Sequence, residues 1–537
     1  MSRLTQLFVL AVGCIKAAKA GRFETHCKCG PTDACWPSFS AWNSLNHTVS
    51  GQLIKTTPIA APCYPGPSYN AATCQTVDNQ WSDARFQALS PVGVDYPINI
   101  TCPPVNLTAG QTATGSCTIG SNPWYAVNAT CVEDVSAAVT FARHHNIRLV
   151  IKTTGHDLLG RSDGYGSLVI WLKYLRSGLD YTAEYHCPCS NWTGSAISVG
   201  GGYTWDDVYP VAKNNNVIVV GGGTPSVSAA GGWMQGGGHG PASRQFGLGA
   251  DQVLSAEIVL ANGKVVTACA CENQDLYFAV RGGGPGAYGV VTKTVIKAWP
   301  MVNVTVQHLA IAPLSTNMSA LLDAVAIIYH DFPDLNDAGY AGYGTWSIDS
   351  PAPLFASFTA GYVHGIYVFN QSFTAAQAAF EPTLEKLLQY NGTSLFISVT
   401  YVDNPDYWSF YSSESGVESP AGQASALGSR LFSRQSVESN TTGLRSMVTT
   451  LAGKGGEGTT NAVELVSGGA VFADASDPYS GLNPAWRISY FNNIVSRGFP
   501  SAANQTTVDA IWADVMAKID AMETQAPDTG VYMVSKS

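Results

Sequence analysis

Val150-Ile-Lys-Thr-Thr-Gly155-His156-Asp157-Leu-Leu-Gly160-Arg161-Ser162 is the stretch on which the reading of the fold turns. Residues 148–152 read as a short apolar strand, and the chain then enters a turn holding Gly155, His156 and Gly160. Glycine lets backbone N–H groups approach a pyrophosphate closely, as nests do. A histidine at the rim of such a turn is held against whatever the loop carries. Taken alone, the segment also reads as a structural histidine in a glycine turn.

Two further glycine segments follow. The first runs Gly221-Gly222-Gly223-Thr224-Pro225-Ser226-Val227-Ser228, then through Gly231-Gly232 to Gly236-Gly237-Gly238-His239-Gly240. Such density costs backbone entropy, and close packing on a flat ligand is one reason to bear it. The interleaved Trp233, Met234, Arg244 and Phe246 argue against a flexible linker. The second runs from Arg281-Gly282 to Tyr288-Gly289-Val290-Val291-Thr292, and Gly284, Gly286 and Gly289 satisfy G-x-G-x-x-G. A dinucleotide-binding fingerprint follows a strand and opens a helix. This one follows a helical pattern at 274–280 and opens a strand at 290–298, so the Rossmann reading is rejected.

Around these segments the pattern mixes helices and strands, an α+β arrangement. Val135, Ala138, Val139 and Ala142 fall at helical spacing and predict a helix over 134–146. Strands are expected at 168–171 and 217–220. A hairpin is expected at 256–267, with Asn262-Gly263 as a type I′ turn. Beyond residue 300, strands at 305–312, 355–368 and 395–401 and helices at 319–332 and 375–390 suggest a sheet covered by helices. No 20–50-residue period points to a repeat protein.

The chain has 537 residues, 45% of them hydrophobic, 12% charged, with a net charge of -10. A large core is expected, and a nucleic-acid partner is not, because phosphate binding needs clustered positive charge. Arg3, the apolar stretch 7–15 and Ala18-Lys19-Ala20 read as a signal peptide over 1–20. No later segment is long and apolar enough for a membrane helix. Setting Cys14 aside, twelve cysteines remain, an even count that favours disulfides in an exported chain. Their C-x-C pairs lack zinc spacing, so no metal is expected. Asn46, Asn99, Asn106, Asn128, Asn191, Asn303, Asn317, Asn370, Asn391, Asn440 and Asn504 all begin N-x-S/T, which suggests a glycosylated, secreted protein. Residues 21–123 read as a loop-rich, disulfide-stapled region without a core of its own.

The three glycine segments, in this order over about residues 124–300, resemble the vanillyl-alcohol-oxidase / berberine-bridge-enzyme superfamily of FAD-linked oxidoreductases. Cys27-Lys-Cys29 with Cys35-Trp36-Pro37, and Gly200-Gly-Gly-Tyr203-Thr-Trp205 with Tyr209, are similar to its secreted fungal branch of isoamyl-alcohol-oxidase-like and secondary-metabolite oxidases. The resemblance implies a two-part FAD-binding domain of PCMH type at 124–300. It also implies a substrate domain at 301–537, with an antiparallel sheet under helices. His156 would carry FAD through the flavin 8α-methyl. Lys152, Gly155, Asp157, Gly160 and Arg161 would lie along the pyrophosphate. Gly223, Thr224, Pro225, Ser226 and Ser228 would run past the isoalloxazine, with Gly231 and Gly238 completing that side. Tyr288, Gly289, Val290 and Val291 would pack near the nucleotide half.

Relatives with two flavin links carry a cysteine just before the equivalent of Pro225. Thr224 stands there, so a single covalent bond is expected. His239 and Tyr203 are the candidate bases by type and neighbourhood. Relatives also continue past a Y-x-N motif into a segment that covers the flavin. Here Val534 replaces the asparagine after Tyr532 and the sequence stops at Ser537, so that segment is expected to be missing. The implied activity is oxidation of a small alcohol or secondary-metabolite intermediate by hydride transfer to flavin N5, with O2 as acceptor. Oxidative ring closure and an inactive secreted glycoprotein are the alternatives.

Overall fold

The computed structural model describes residues 27–97, 100–186, 190, 192–416, 418, 420–500 and 503–532. The expected signal peptide, Cys187, Cys189, Asn99, Asn191 and Val534 lie outside them.

Three sheets organise the chain. The first has the order Leu53–Lys55, Tyr125–Asn128, Leu168–Trp171, Leu149–Lys152. Its last three strands are parallel, because helix Val132–His144 carries the chain across from Tyr125–Asn128 to Leu149–Lys152. Val135, Ala138, Val139 and Ala142 are the buried stripe of that helix, as their spacing predicts. The second sheet is antiparallel, in the order Leu179–Thr182, Ser195–Gly200, Val290–Pro300, Val253–Val259, Val265–Cys269, with Val217–Ile218 against the end of Val290–Pro300. Helix Gln274–Val280 precedes the G-x-G-x-x-G stretch and strand Val290–Pro300 follows it, which agrees with rejecting the Rossmann reading.

The third sheet has seven antiparallel strands, in the order Leu395–Asn404, Val304–Pro313, Gly361–Phe369, Ala341–Ser347, Thr460–Leu465, Ser489–Gly498, Ser425–Ser433. Period-two alternation gives it two faces. Leu309, Ile311, Trp346, Tyr362, Ile366, Val463 and Leu465 pack under helices Ser319–Asp337, Phe373–Leu388, Thr441–Ala452 and Gln505–Gln525. Val304, Val306, Ala341, Tyr367 and Phe369 point the other way, into a core shared with Trp205, Val220, Met234 and Ile258. The sheet is thus sandwiched between its helices and the glycine segments. Burying a Leu, Ile or Phe side chain contributes about 1.5–3 kcal/mol, so both faces fix it in place.

Several local expectations need correction. The hairpin turn is not type I′, because only Gly263 has a positive φ (+81°) and Asn262 does not. Gly263 N–H donates to Leu260 O at 2.8 Å, giving a three-residue loop with glycine in the left-handed position. The strand expected from residue 355 begins at Gly361, because Phe355 and Phe358 close a turn of their own. The first helix of the second half continues through Pro333 to Asp337 instead of stopping at 332. Proline removes one intrahelical donor, and here the buried Phe332, Leu335 and Asn336 outweigh that loss.

The even cysteine count does not pair every thiol. Cys29–Cys35, Cys63–Cys74 and Cys102–Cys117 are bonded, but Cys131 sits free at the start of a helix and Cys269 is free and buried in a strand. The cysteine-rich region also has helices and cores that its loop signals hide. Trp42 on helix Phe39–Thr48 stacks on Tyr125 at 4.0 Å, and Tyr64, Val77 and Val105 cluster around two of the disulfides.

On the helix-covered face His364 is buried. Its Nδ1 lies 2.8 Å from Tyr362 Oη and its Nε2 2.7 Å from Gln307 Oε1. Burial, reinforced by nearby His308, lowers its pKa to about 3. Between pH about 3 and about 6.5 the unfolded chain therefore binds up to one more proton than the native one. Stability from this site is complete above pH about 6.5 and is lost as pH falls towards 3, at about 1.4 kcal/mol per pH unit. Denaturant titrations at stepped pH should show a shallower acid slope in His364→Gln than in wild type.

Candidate active site

Strand Leu149–Lys152 ends in the turn that presents His156. Gly155 has φ +108°, and a Cβ there would stand 2.8 Å from Gly93 O, so glycine is required twice over. Lys152 is buried, and its Nζ donates to Ser90 O at 2.7 Å and also to Gly93 O. Burial lowers its pKa to about 7, against the opposing pull of Asp95 and Asp163. Asp157 accepts from Arg161 N at 2.6 Å and from Arg161 Nε at 2.9 Å, which closes the loop through Gly160.

His156 joins segments far apart in sequence. Its Nδ1 lies 2.6 Å from Asp95 Oδ2 and its Nε2 2.6 Å from Ser226 Oγ. Ser226 Oγ donates to Glu418 Oε1, and Glu418 Oε2 lies 3.1 Å from Arg85.

The second glycine segment is positioned by helix Trp205–Asn214. Trp205 N–H donates to Val227 O at 3.1 Å and Asp206 N–H to Pro225 O at 2.8 Å. A Cβ on Gly240 would stand 1.7 Å from Gly221 O, and one on Gly231 2.7 Å from Ser228 Oγ. Gly238 has φ +71° and lies against the Trp233 ring. Around Gly223 a Cβ would meet nothing within 4 Å, while its carbonyl accepts from Tyr411 Oη at 3.0 Å. Ser228 Oγ is buried with no partner. Val290 and Val291 are buried and Gly289 packs on Ile258, whereas Tyr288 is largely exposed. An unpartnered hydroxyl, an open strip at Gly223 and Thr224, and glycines that leave no room for side chains suit a flat ligand with polar edges.

His239 stands at the end of this segment against the third sheet. Its Nε2 lies 3.3 Å from Glu464 Oε2 and its Nδ1 3.5 Å from Tyr343 Oη. Tyr343 and Glu464 are cross-strand partners, and Asn492 donates to Glu464 at 2.9 Å. Tyr532 meets the imidazole edge-on at 4.8 Å. Burial raises the pKa of Tyr343 and of Tyr532, and the Glu464 carboxylate adds to both. Asp157 and Arg161 also act on Tyr532, which places this cluster beside the His156 loop. A cavity of about 440 Å³ opens from Tyr343 along the same sheet face, past Thr345, Tyr367, His308 and Glu414. Tyr203 does not join the cluster: its ring lies under the Arg176 guanidinium at 4.7 Å.

Residues 123–269 match the family model described as an FAD binding domain. The FAD-linked oxidoreductase hmp9 of Hypomyces subiculosus is 48% identical, over 94% of this chain and 81% of that protein. The chain belongs to the FAD-linked oxidoreductases. A solved VAO-type flavoprotein of this family, MtVAO713 from Myceliophthora thermophila C1, is 46% identical with TM-score 0.92, covering 95% of this chain and 90% of that one. Berberine bridge enzyme from Eschscholzia californica shares the fold at TM-score 0.62 and 15% identity, over 92% of this chain and 87% of that one. In this FAD-linked oxidoreductase the His156 turn and the second glycine segment supply His156, Ser226 and His239. Asp95, Glu418, Tyr343 and Glu464 lie outside every motif of the sequence. Alternation over 341–347 and 460–465 was the available signal for Tyr343 and Glu464; Asp95 and Glu418 lie in loops that carry none.

Proposed function

We propose that this FAD-linked oxidoreductase oxidises a small organic molecule, an alcohol or a secondary-metabolite intermediate, with O2 as acceptor and FAD held by one bond to His156. The chain would divide at about residues 123 and 300, and its product would be made outside the cell. The observation that carries this reading is the His239–Glu464–Tyr343 cluster at the seam between the glycine segments and the cavity. Lys152 and residues 155–161 would face the pyrophosphate, Gly223 to Ser228, Gly231 and Gly238 the ring system, and Gly289 to Val291 the nucleotide half. Tyr288 would flank that half from the surface. FAD bound there supplies the hydride acceptor.

The protein's part is to place a substrate hydroxyl against His239 and to take its proton. Glu464 stands beside the His239 nitrogen that faces it and stabilises the imidazolium that forms, while Asn492 keeps the carboxylate aligned. Tyr343, half-buried at the cavity, and Tyr532, buried behind it, are both held as neutral phenols and can donate a hydrogen bond to the same oxygen. Tyr203, engaged with Arg176, is the weaker candidate base.

Two experiments test the reading. Acid-precipitated protein should stay yellow and exceed the polypeptide mass by one FAD. In His156→Ala the colour should pass to the supernatant. Colourless wild-type precipitate would overturn the covalent link. Hydrogen peroxide release from a panel of primary and benzylic alcohols tests the activity, and silence across the panel with full flavin loading would overturn it.

A further inference from the structure

We propose that Asp95 activates His156 for its own attachment to the cofactor, an inference that rests on the reading of His156 as the flavin-bearing residue. Asp95 comes from the cysteine-rich region, outside all three glycine segments. Its backbone is fixed from two sides: its N–H donates to Gly155 O at 3.1 Å, and its carbonyl accepts from Gly422 N–H at 2.7 Å. Lys152 holds the preceding loop by the carbonyls of Ser90 and Gly93. The carboxylate is therefore presented to the imidazole by a braced loop.

Its side chain is 2% exposed, and neither oxygen has a hydrogen bond of good geometry. A buried carboxylate in that state is costly, and an apolar residue would serve stability better. The group it faces is His156, with Nδ1 at 2.6 Å. On the other edge of the ring, Ser226 gives its hydroxyl proton to Glu418, so the 2.6 Å contact at Nε2 is made by a ring N–H. Both nitrogens thus lie 2.6 Å from an acceptor oxygen, Nε2 aligned on Ser226 and Nδ1 off-axis beside Asp95, and a nitrogen that carries its proton cannot attack until that proton leaves. Asp95 is the carboxylate placed to receive one.

The chemistry balances with O2 as oxidant. An imidazole N–C bond to the 8α carbon forms while the imidazole N–H and one methyl C–H break. The two electrons and two protons reduce the flavin, with the imidazole proton passing through Asp95. O2 then reoxidises the flavin and leaves as hydrogen peroxide.

The test loads FAD onto cofactor-free wild type, Asp95→Asn, Asp95→Glu and His156→Ala, and follows acid-stable flavin and intact mass with time. Asp95→Asn should bind FAD, lose it to acid, and attach it about 100-fold more slowly. Asp95→Glu, which keeps the carboxylate, should recover part of that rate. Attachment in Asp95→Asn at the wild-type rate would overturn the inference while leaving His156 as the anchor. Failure of Asp95→Asn to bind FAD at all would also overturn it, because the role would then be structural. Absence of acid-stable flavin in wild type would instead sink the reading beneath it.

Discussion

Alanine in place of His239 should lower kcat by about 10²–10⁴-fold and leave the flavin attached. The expectation follows from what the imidazole touches. Its two nitrogens face a carboxylate at 3.3 Å and a phenol at 3.5 Å, so an arriving proton has a counter-charge beside it. Glu464→Gln removes that charge but keeps the Asn492 contact within reach, so its loss of kcat should be smaller and KM should change little. Because the two residues act as one unit, the double variant should fall well short of the product of the single losses. Tyr203→Phe should leave kcat near wild type, because that ring is committed to Arg176. Steady-state kinetics with stopped-flow flavin reduction decide the matter. Reduction within tenfold of wild type in His239→Ala would move the base elsewhere.

What could be read in advance follows from how far each signal reaches. The His156 turn, the second glycine segment and the G-x-G-x-x-G strand entry are local features, and their chemistry is written in consecutive residues. The helix Val132–His144 and the strand Val304–Pro313 carry enough periodicity to stand alone. The type I′ assignment failed because Asn-Gly also fits a three-residue loop, and loop length is set by strand register. Asp95, Ser226 and Glu418 meet at His156 from sequence separations that no local pattern encodes. The same holds for Tyr343 and Glu464, which share a rung only because their strands neighbour each other in the seven-stranded sheet. The catalytic proposal thus depends on tertiary pairing, whereas the cofactor proposal was visible in the loops.

Arg487→Ala should cost about 3–5 kcal/mol of stability, the largest effect expected from a residue outside the chemistry. Arg487 Nη2 lies 2.7 Å from Asp251 Oδ1 and its Nη1 3.0 Å from Asp251 Oδ2, a two-pronged pair with side-chain exposures of 9% and 1%. Asp251 is in the FAD-binding half and Arg487 beyond the third sheet's central strands, so the pair spans the seam on which His239 stands. Without the guanidinium, Asp251 keeps only the Leu248 N–H at 2.9 Å. A second carboxylate, Asp474, is already pushed up by burial and by Asp251 itself, and Lys297 and Arg281 act on Asp251 only from beyond ion-pair distance. The damage should therefore come from the stranded charge more than from lost packing. Arg487→Met with Asp251→Asn removes both charges and should recover most of the melting temperature that Arg487→Ala loses. If the single and double variants melt together, packing at Leu482 and Trp486, not the buried carboxylate, holds this seam.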